Sequence, residues 1–170
     1  MNGEQPPRFI EGILRTRGWV FFDDLGTQLG QQETTSNMWS GHSSTLTVGT
    51  RVYDFNIVKG EEKDGLTDRQ SGLSVFKKKG DLELPDGRKL RRQRSGTMWR
   101  HRFENRMHLL LVDGNDVAIT LWFRQHHGVR PSRGPFIMRA DLAPSIEPTA
   151  DLVPLVAHET NRFFRSLFAH

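Results

Sequence analysis

Leu109-Leu110-Leu111-Val112-Asp113-Gly114-Asn115-Asp116-Val117-Ala118-Ile119-Thr120-Leu121-Trp122-Phe123-Arg124 is the stretch that decides the fold. Two apolar runs flank an Asp-Gly dipeptide, which is favoured in tight hairpins because both central residues of a type I′ turn take positive φ. After the turn, Val117, Ile119, Leu121 and Phe123 recur with period two and are expected on one face, with Thr120 among the residues opposite. The stretch reads as a β-hairpin with one buried side.

The same grammar runs outward in both directions. Asp24-Leu25-Gly26, Asp64-Gly65, Lys79-Gly80-Asp81 and Asp86-Gly87 are further turn signals. Tyr53, Phe55 and Ile57 alternate against Val52, Asp54 and Asn56, and Trp99, His101 and Phe103 oppose Arg100 and Arg102. Leu46 and Val48 have the opposite parity to Tyr53, so a bulge near Gly49 is expected to bring both sets to one face. Other strands are expected at Phe9–Leu14, Trp19–Asp23, Leu73–Lys78, Leu82–Leu84, Lys89–Arg94 and Phe136–Arg139, with residues 125–135 as a loop. Only the tail changes period. Val153, Val156, Thr160, Phe163, Phe164 and Leu167 recur at helical spacing, Thr149 or Asp151 can cap, and Pro154 is tolerated in a first turn. These residues predict a helix over about 152–168 that buries Val156, Phe163 and Leu167 against the sheet. The expected fold class is therefore mainly β: an antiparallel β-barrel or sandwich of about ten short strands with one C-terminal amphipathic helix. It is expected to form a single domain over 9–170 behind a flexible N-terminus, 1–8.

Charge is distributed unevenly. Of 24 Lys and Arg, ten fall between Lys77 and Arg102, against three of the 20 carboxylates, so this band is +7 and the remainder −3. One strongly basic band on a near-neutral body suits an anionic partner. Arg88, Lys89, Arg91, Arg92, Arg94, Arg100 and Arg102 are the expected ligand-binding residues, since guanidinium groups offer paired donors to phosphate. Alternation puts Arg92 and Arg94 on the face of Leu90, and Lys89 and Arg91 on the other. Reversing Arg91 and Arg92 to Glu is expected to abolish binding and leave the fold intact.

Other chemistry finds no pattern. There is no cysteine, and of seven histidines the one close pair, His126-His127, would point apart on an extended chain, so no metal or other cofactor is expected. No Gly-x-Ser-x-Gly, P-loop or dinucleotide fingerprint occurs, and the clustered carboxylates sit in turns, so the chain is not expected to be an enzyme. Trp19, Phe21, Phe22, Trp99, Trp122 and Phe123 follow strand periodicity and are read as core before stacking platforms. No apolar run reaches the ~18 residues of a membrane span, and no secretory signal opens the chain, so a cytoplasmic protein, peripheral at most to a membrane, is expected.

The run Leu82-Glu83-Leu84-Pro85-Asp86-Gly87-Arg88-Lys89-Leu90-Arg91-Arg92 is followed by Met98-Trp99-Arg100-His101-Arg102-Phe103. The strands 109–112 and 117–123 come next, and Leu152-Val153-Pro154-Leu155-Val156 opens the helix. In these features the chain resembles the small bacterial members of the tubby C-terminal-like superfamily, which includes tubby domains, phospholipid scramblases and LURP-one-related proteins. The resemblance spans roughly 8–168. It implies a barrel with a terminal helix running through it, and a non-enzymatic module that binds phosphorylated lipid head groups at a membrane surface. The chain departs from that pattern where His158, Glu159, Asn161, Arg162 and Arg165 interrupt an otherwise apolar helix, so the helix is expected to expose one face or to lie against an open end. It also lacks the cysteines and the membrane-inserting segment of the scramblases. A nucleic-acid-binding β module and a small-ligand β-barrel are the alternatives. The first is disfavoured by the lack of aromatic residues within Lys77–Arg94, which only Phe76 borders.

Overall fold

A computed structural model of the chain describes residues 8–37, 41–55, 66–76, 82–95, 108–125 and 136–168. The strands are β1 (Phe9–Arg15), β2 (Gly18–Asp23), β3 (Gln28–Asn37), β4 (Gly41–Val48), β5 (Arg51–Phe55) and β6 (Leu66–Asp68). They continue as β7 (Ser74–Phe76), β8 (Leu82–Glu83), β9 (Lys89–Ser95), β10 (His108–Asp113), β11 (Asp116–Gln125) and β12 (Phe136–Leu142). A 3-10 turn, Ala150–Leu152, leads into one helix, α1 (Val153–Phe168).

All strand pairs are antiparallel, and their order is β7-β6-β5-β4-β3-β2-β1-β12-β11-β10-β9-β8. Every neighbour is the next strand in the chain except β1 and β12, which pair from Phe9↔Asp141 to Ile13↔Ile137. The break falls between β7 and β8, which are not bonded to each other among the described residues. The sheet is thus an up-and-down meander that rolls around but does not close into a barrel.

Successive reversals place alternate connections at the same end. The turns at 24–27, 49–50, 69–73, 84–88 and 114–115 and the link 143–149 therefore share one end, called here the turn end, where α1 begins. The inner face carries Ile10, Trp19, Phe21, Leu46, Leu111, Ile119, Leu121 and Met138, all nearly inaccessible. Each such side chain contributes about 1.5–3 kcal/mol by leaving water.

The helix is enclosed. Val153 to Thr160 are eight consecutive buried residues, and at about 100° per residue they face every direction around the axis. Glu159 bonds to β9 and Asn161 to β3, which are separated by five strands in the sheet order. Close approach to β3 depends on Gly30, where a Cβ would lie 3.0 Å from Val153 Cγ1 and 3.2 Å from the Thr47 carbonyl oxygen.

Several expectations are corrected by this arrangement. The helix does not expose a polar face over 153–160: His158, Glu159 and Thr160 are buried, and Glu159 is paired with Arg92 and His158. No bulge occurs near Gly49. Val48 opposes Arg51 across a two-residue turn, with positive φ at Gly49 alone, as a Gly-first type II′ turn requires. The register instead shifts between Leu111 and Val112, opposite Ile119 and Val117, which tucks Ala118 inside and leaves Val117 44% exposed. Val117 therefore leaves the face it was expected to share with Ile119 and Leu121. The strands β3 and β6 form where the sequence pattern predicts none. Val156 is buried as expected, whereas the side chains of Phe163 and Leu167 and the whole of Trp99–Phe103 lie outside the described residues.

Candidate functional site

The basic strand β9 alternates as its sequence dictates. Leu90 is buried, Lys89 and Arg91 are exposed, and Arg92 turns inward. Its guanidinium meets the fully buried carboxylate of Glu159 in two bonds, Nε to Oε2 at 2.8 Å and Nη2 to Oε1 at 2.6 Å. Nδ1 of His158 lies 3.0 Å from Oε1. Arg92 is thus the counter-ion of the enclosed helix and not a surface ligand group.

Its neighbours in the expected set are placed differently from one another. Arg88 donates from Nε to Asp86 Oδ2 at 2.8 Å and from Nη1 to Ser145 Oγ at 3.1 Å, with Asp113 at 3.9 Å. Lys89 stands directly across from Glu83 on β8. Arg91 stands across from Val112 and has no ion pair among the described residues. The backbone of Arg94 pairs with Leu109, while its side chain, and Arg100 and Arg102 entirely, lie outside the described residues. The expected set therefore divides into two committed arginines, a lysine beside a carboxylate, and one outward arginine. Reversing Arg91 and Arg92 together would not spare the fold, because a glutamate at 92 would face Glu159.

Carboxylates collect at the turn end. The turns 23–27, 49–51, 68–73, 83–89 and 113–116, the link 143–151 and Arg8 together carry five cations and nine carboxylates, a net of −4. The other described residues, on the strands, the helix and the turn 16–17, sum to +4.

On the outer face, Arg139 offers what the sequence reading missed. Its guanidinium lies 4.1 Å above the Phe9 ring and 5.8 Å from the centre of Trp122. Nε donates to Asp141 Oδ1 at 2.6 Å, and Asp141 Oδ2 accepts from Trp122 Nε1 at 3.1 Å. Arg8, Arg69 and Arg92 each spend Nε and Nη2 on one carboxylate, whereas Arg139 gives only Nε. Nη1 and Nη2 of Arg139 have no partner among the described residues. The signal lay in cross-strand register, since Arg139 opposes Trp122 on β11 and Glu11 on β1, and one strand's own alternation cannot show this. Trp19 and Phe21 are core, as their periodicity predicts, while Phe9, Phe22 and Trp122 are half-buried.

Inside the roll, Gln32 and Asn161 exchange two hydrogen bonds, Nε2 to Oδ1 at 2.8 Å and Nδ2 to Oε1 at 2.7 Å. Gln32 Nε2 also donates to Ser44 Oγ at 2.8 Å. Burial pushes the Glu159 carboxyl up, but hydrogen bonds from Arg92 and His158 and the charges of both outweigh it and hold its pKa below the ordinary 4.5. The unfolded chain then binds this proton more readily than the folded one. The stabilisation is complete above about pH 4.5 and lost as pH falls through the depressed folded value. Urea midpoints measured from neutral pH downward should fall more steeply for the wild type than for Glu159→Gln below about pH 4.5.

A cleft of about 640 Å³ opens at the turn end between 48–53, 83–85 and the start of α1. Among the described residues no group of three or more His, Asp or Glu is placed to hold a metal ion, and no helix is long and apolar enough to cross a membrane. Compared with protein-family models, curated proteins and solved structures, the chain matches none.

Proposed function

We propose that the chain is a non-enzymatic binding module that holds a phosphorylated ligand, lipid head groups foremost, on its basic side. The observation that carries this reading is the separation of charge: among the described residues those away from the turn end carry +4 against −4 at it. A dipolar distribution of this kind orients a protein toward an anionic surface. Arg91 and Arg139 supply outward guanidinium groups on the outer face of the sheet, the latter held flat by Phe9 and Asp141 with both terminal nitrogens to spare. The resemblance to the tubby-like superfamily supports it as well, since a terminal helix enclosed by an antiparallel sheet is what that resemblance implies. Such a module would work in the cytoplasm, peripheral to a membrane.

The test is co-sedimentation with vesicles containing phosphoinositide or phosphatidylserine, against neutral phosphatidylcholine. Each basic residue near an anionic surface is worth about 1 kcal/mol, so Arg91→Gln and Arg139→Gln should each weaken binding about fivefold. Binding should also decline as salt rises. Absence of binding at low salt, or equal binding by the double variant, would overturn the proposal. A second reading is favoured by the half-buried Phe9 and Trp122 beside Arg139, because single-stranded nucleic acid stacks bases on such rings. An oligonucleotide in the same assay separates the two.

A further inference from the structure

We infer that the turn end is a docking surface for a basic peptide segment bearing an apolar side chain. Three large hydrophobic side chains are exposed among the described residues: Leu25 at 82%, Leu73 at 70% and Val117 at 44%. Scattered singly they would be unremarkable. They instead sit on or beside three separate turns at one end of the sheet, the end that carries a net −4 on a chain of +4.

The same end holds the 640 Å³ cleft, a size within the range of specific binding sites. Its deepest lining is apolar: Tyr53, Leu84, Pro154 and Leu155 are all buried. Glu83 and Asp151 are exposed along it, against one cation, Arg51, which is held more firmly protonated by Tyr53, Asp68 and Asp151 nearby. A depression with an apolar floor and two carboxylates against one cation at its edge disfavours an anionic partner and favours Lys or Arg flanking a hydrophobic side chain. The exposed leucines occupy turns outside the cleft lining, so the surface extends beyond what a small cation would cover.

This surface lies opposite in charge to the side proposed for phosphorylated ligands and depends on different residues, so either can fail without the other. A fluorescently labelled peptide of alternating Lys and Leu is titrated with the full-length protein at low and physiological salt, beside an alternating Glu and Leu control. The Lys peptide should bind and the Glu peptide should not. Glu83→Lys with Asp151→Lys should weaken binding about tenfold, and Leu25→Ser with Leu73→Ser by a similar factor. Arg91→Gln with Arg139→Gln should leave it unchanged. Equal binding of both peptides, or equal affinity in the charge-reversed and Leu→Ser variants, would overturn the inference. Concentration-dependent dimerisation of the protein alone, lost on charge reversal, would overturn the peptide assignment in favour of a second copy of the chain.

Discussion

Arg92→Ala is expected to destabilise the protein by about 3–5 kcal/mol, measured by urea or thermal unfolding. The substitution removes both bonds to Glu159, a carboxylate with no accessible surface, and leaves it inside the roll with only His158 beside it. Most of the loss is the cost of an uncompensated buried charge and not the net worth of the pair. The double variant Arg92→Met with Glu159→Leu should therefore recover most of the stability, because a buried ion pair and an apolar pair of similar volume are often near parity. Arg91→Ala, one residue away on the opposite face, should change stability by no more than about 0.5 kcal/mol. A loss below about 1 kcal/mol for Arg92→Ala would mean that water reaches Glu159 and that α1 is not enclosed.

The contrast between Arg91 and Arg92 marks how far the sequence was legible. Alternation alone assigns the two to opposite faces, and the structure agrees. Alternation cannot say which partner waits on the inner face, and the partner is 67 residues downstream. The same limit explains the two larger misreadings. The polar residues of α1 looked like a solvent face, because burying them unpaired would be costly. The run 28–37 looked like no strand, because its inward positions include Gly30, Gln32 and Thr34 and give no apolar stripe. Each is the solution to the other: Gln32 pairs with Asn161, and Gly30 makes room for Val153. Single-sequence periodicity detects apolar matches and misses polar ones, whose favourable free energy exists only once both partners are placed. The candidate site was hidden in the same way. Arg139 becomes a distinct group only when register sets it beside Trp122, Phe9 and Asp141. The strands of the opening hairpin, the type of the terminal helix and the turns were legible because local alternation and turn chemistry suffice for them.

Leu155→Ala tests whether α1 is the central partner of the sheet. Leu155 is 2% exposed, near the start of the helix, and joins the same buried cluster as Leu46, Tyr53, Leu84 and Leu152. Truncating a buried leucine costs the lost transfer free energy plus the void left behind, about 2–5 kcal/mol across known cores. Leu155 also lines the cleft, so water can enter part of the space vacated and relieve the cavity term. The expected loss is therefore toward the lower end, about 2–3 kcal/mol in urea unfolding. The slope of the unfolding curve should be unchanged, since the surface exposed on unfolding is nearly the same. Leu73→Ala on the exposed turn should shift the midpoint by no more than about 0.5 kcal/mol. If the two leucines behaved alike, the helix would be an appendage, and the enclosed architecture behind the proposed function would fall with it.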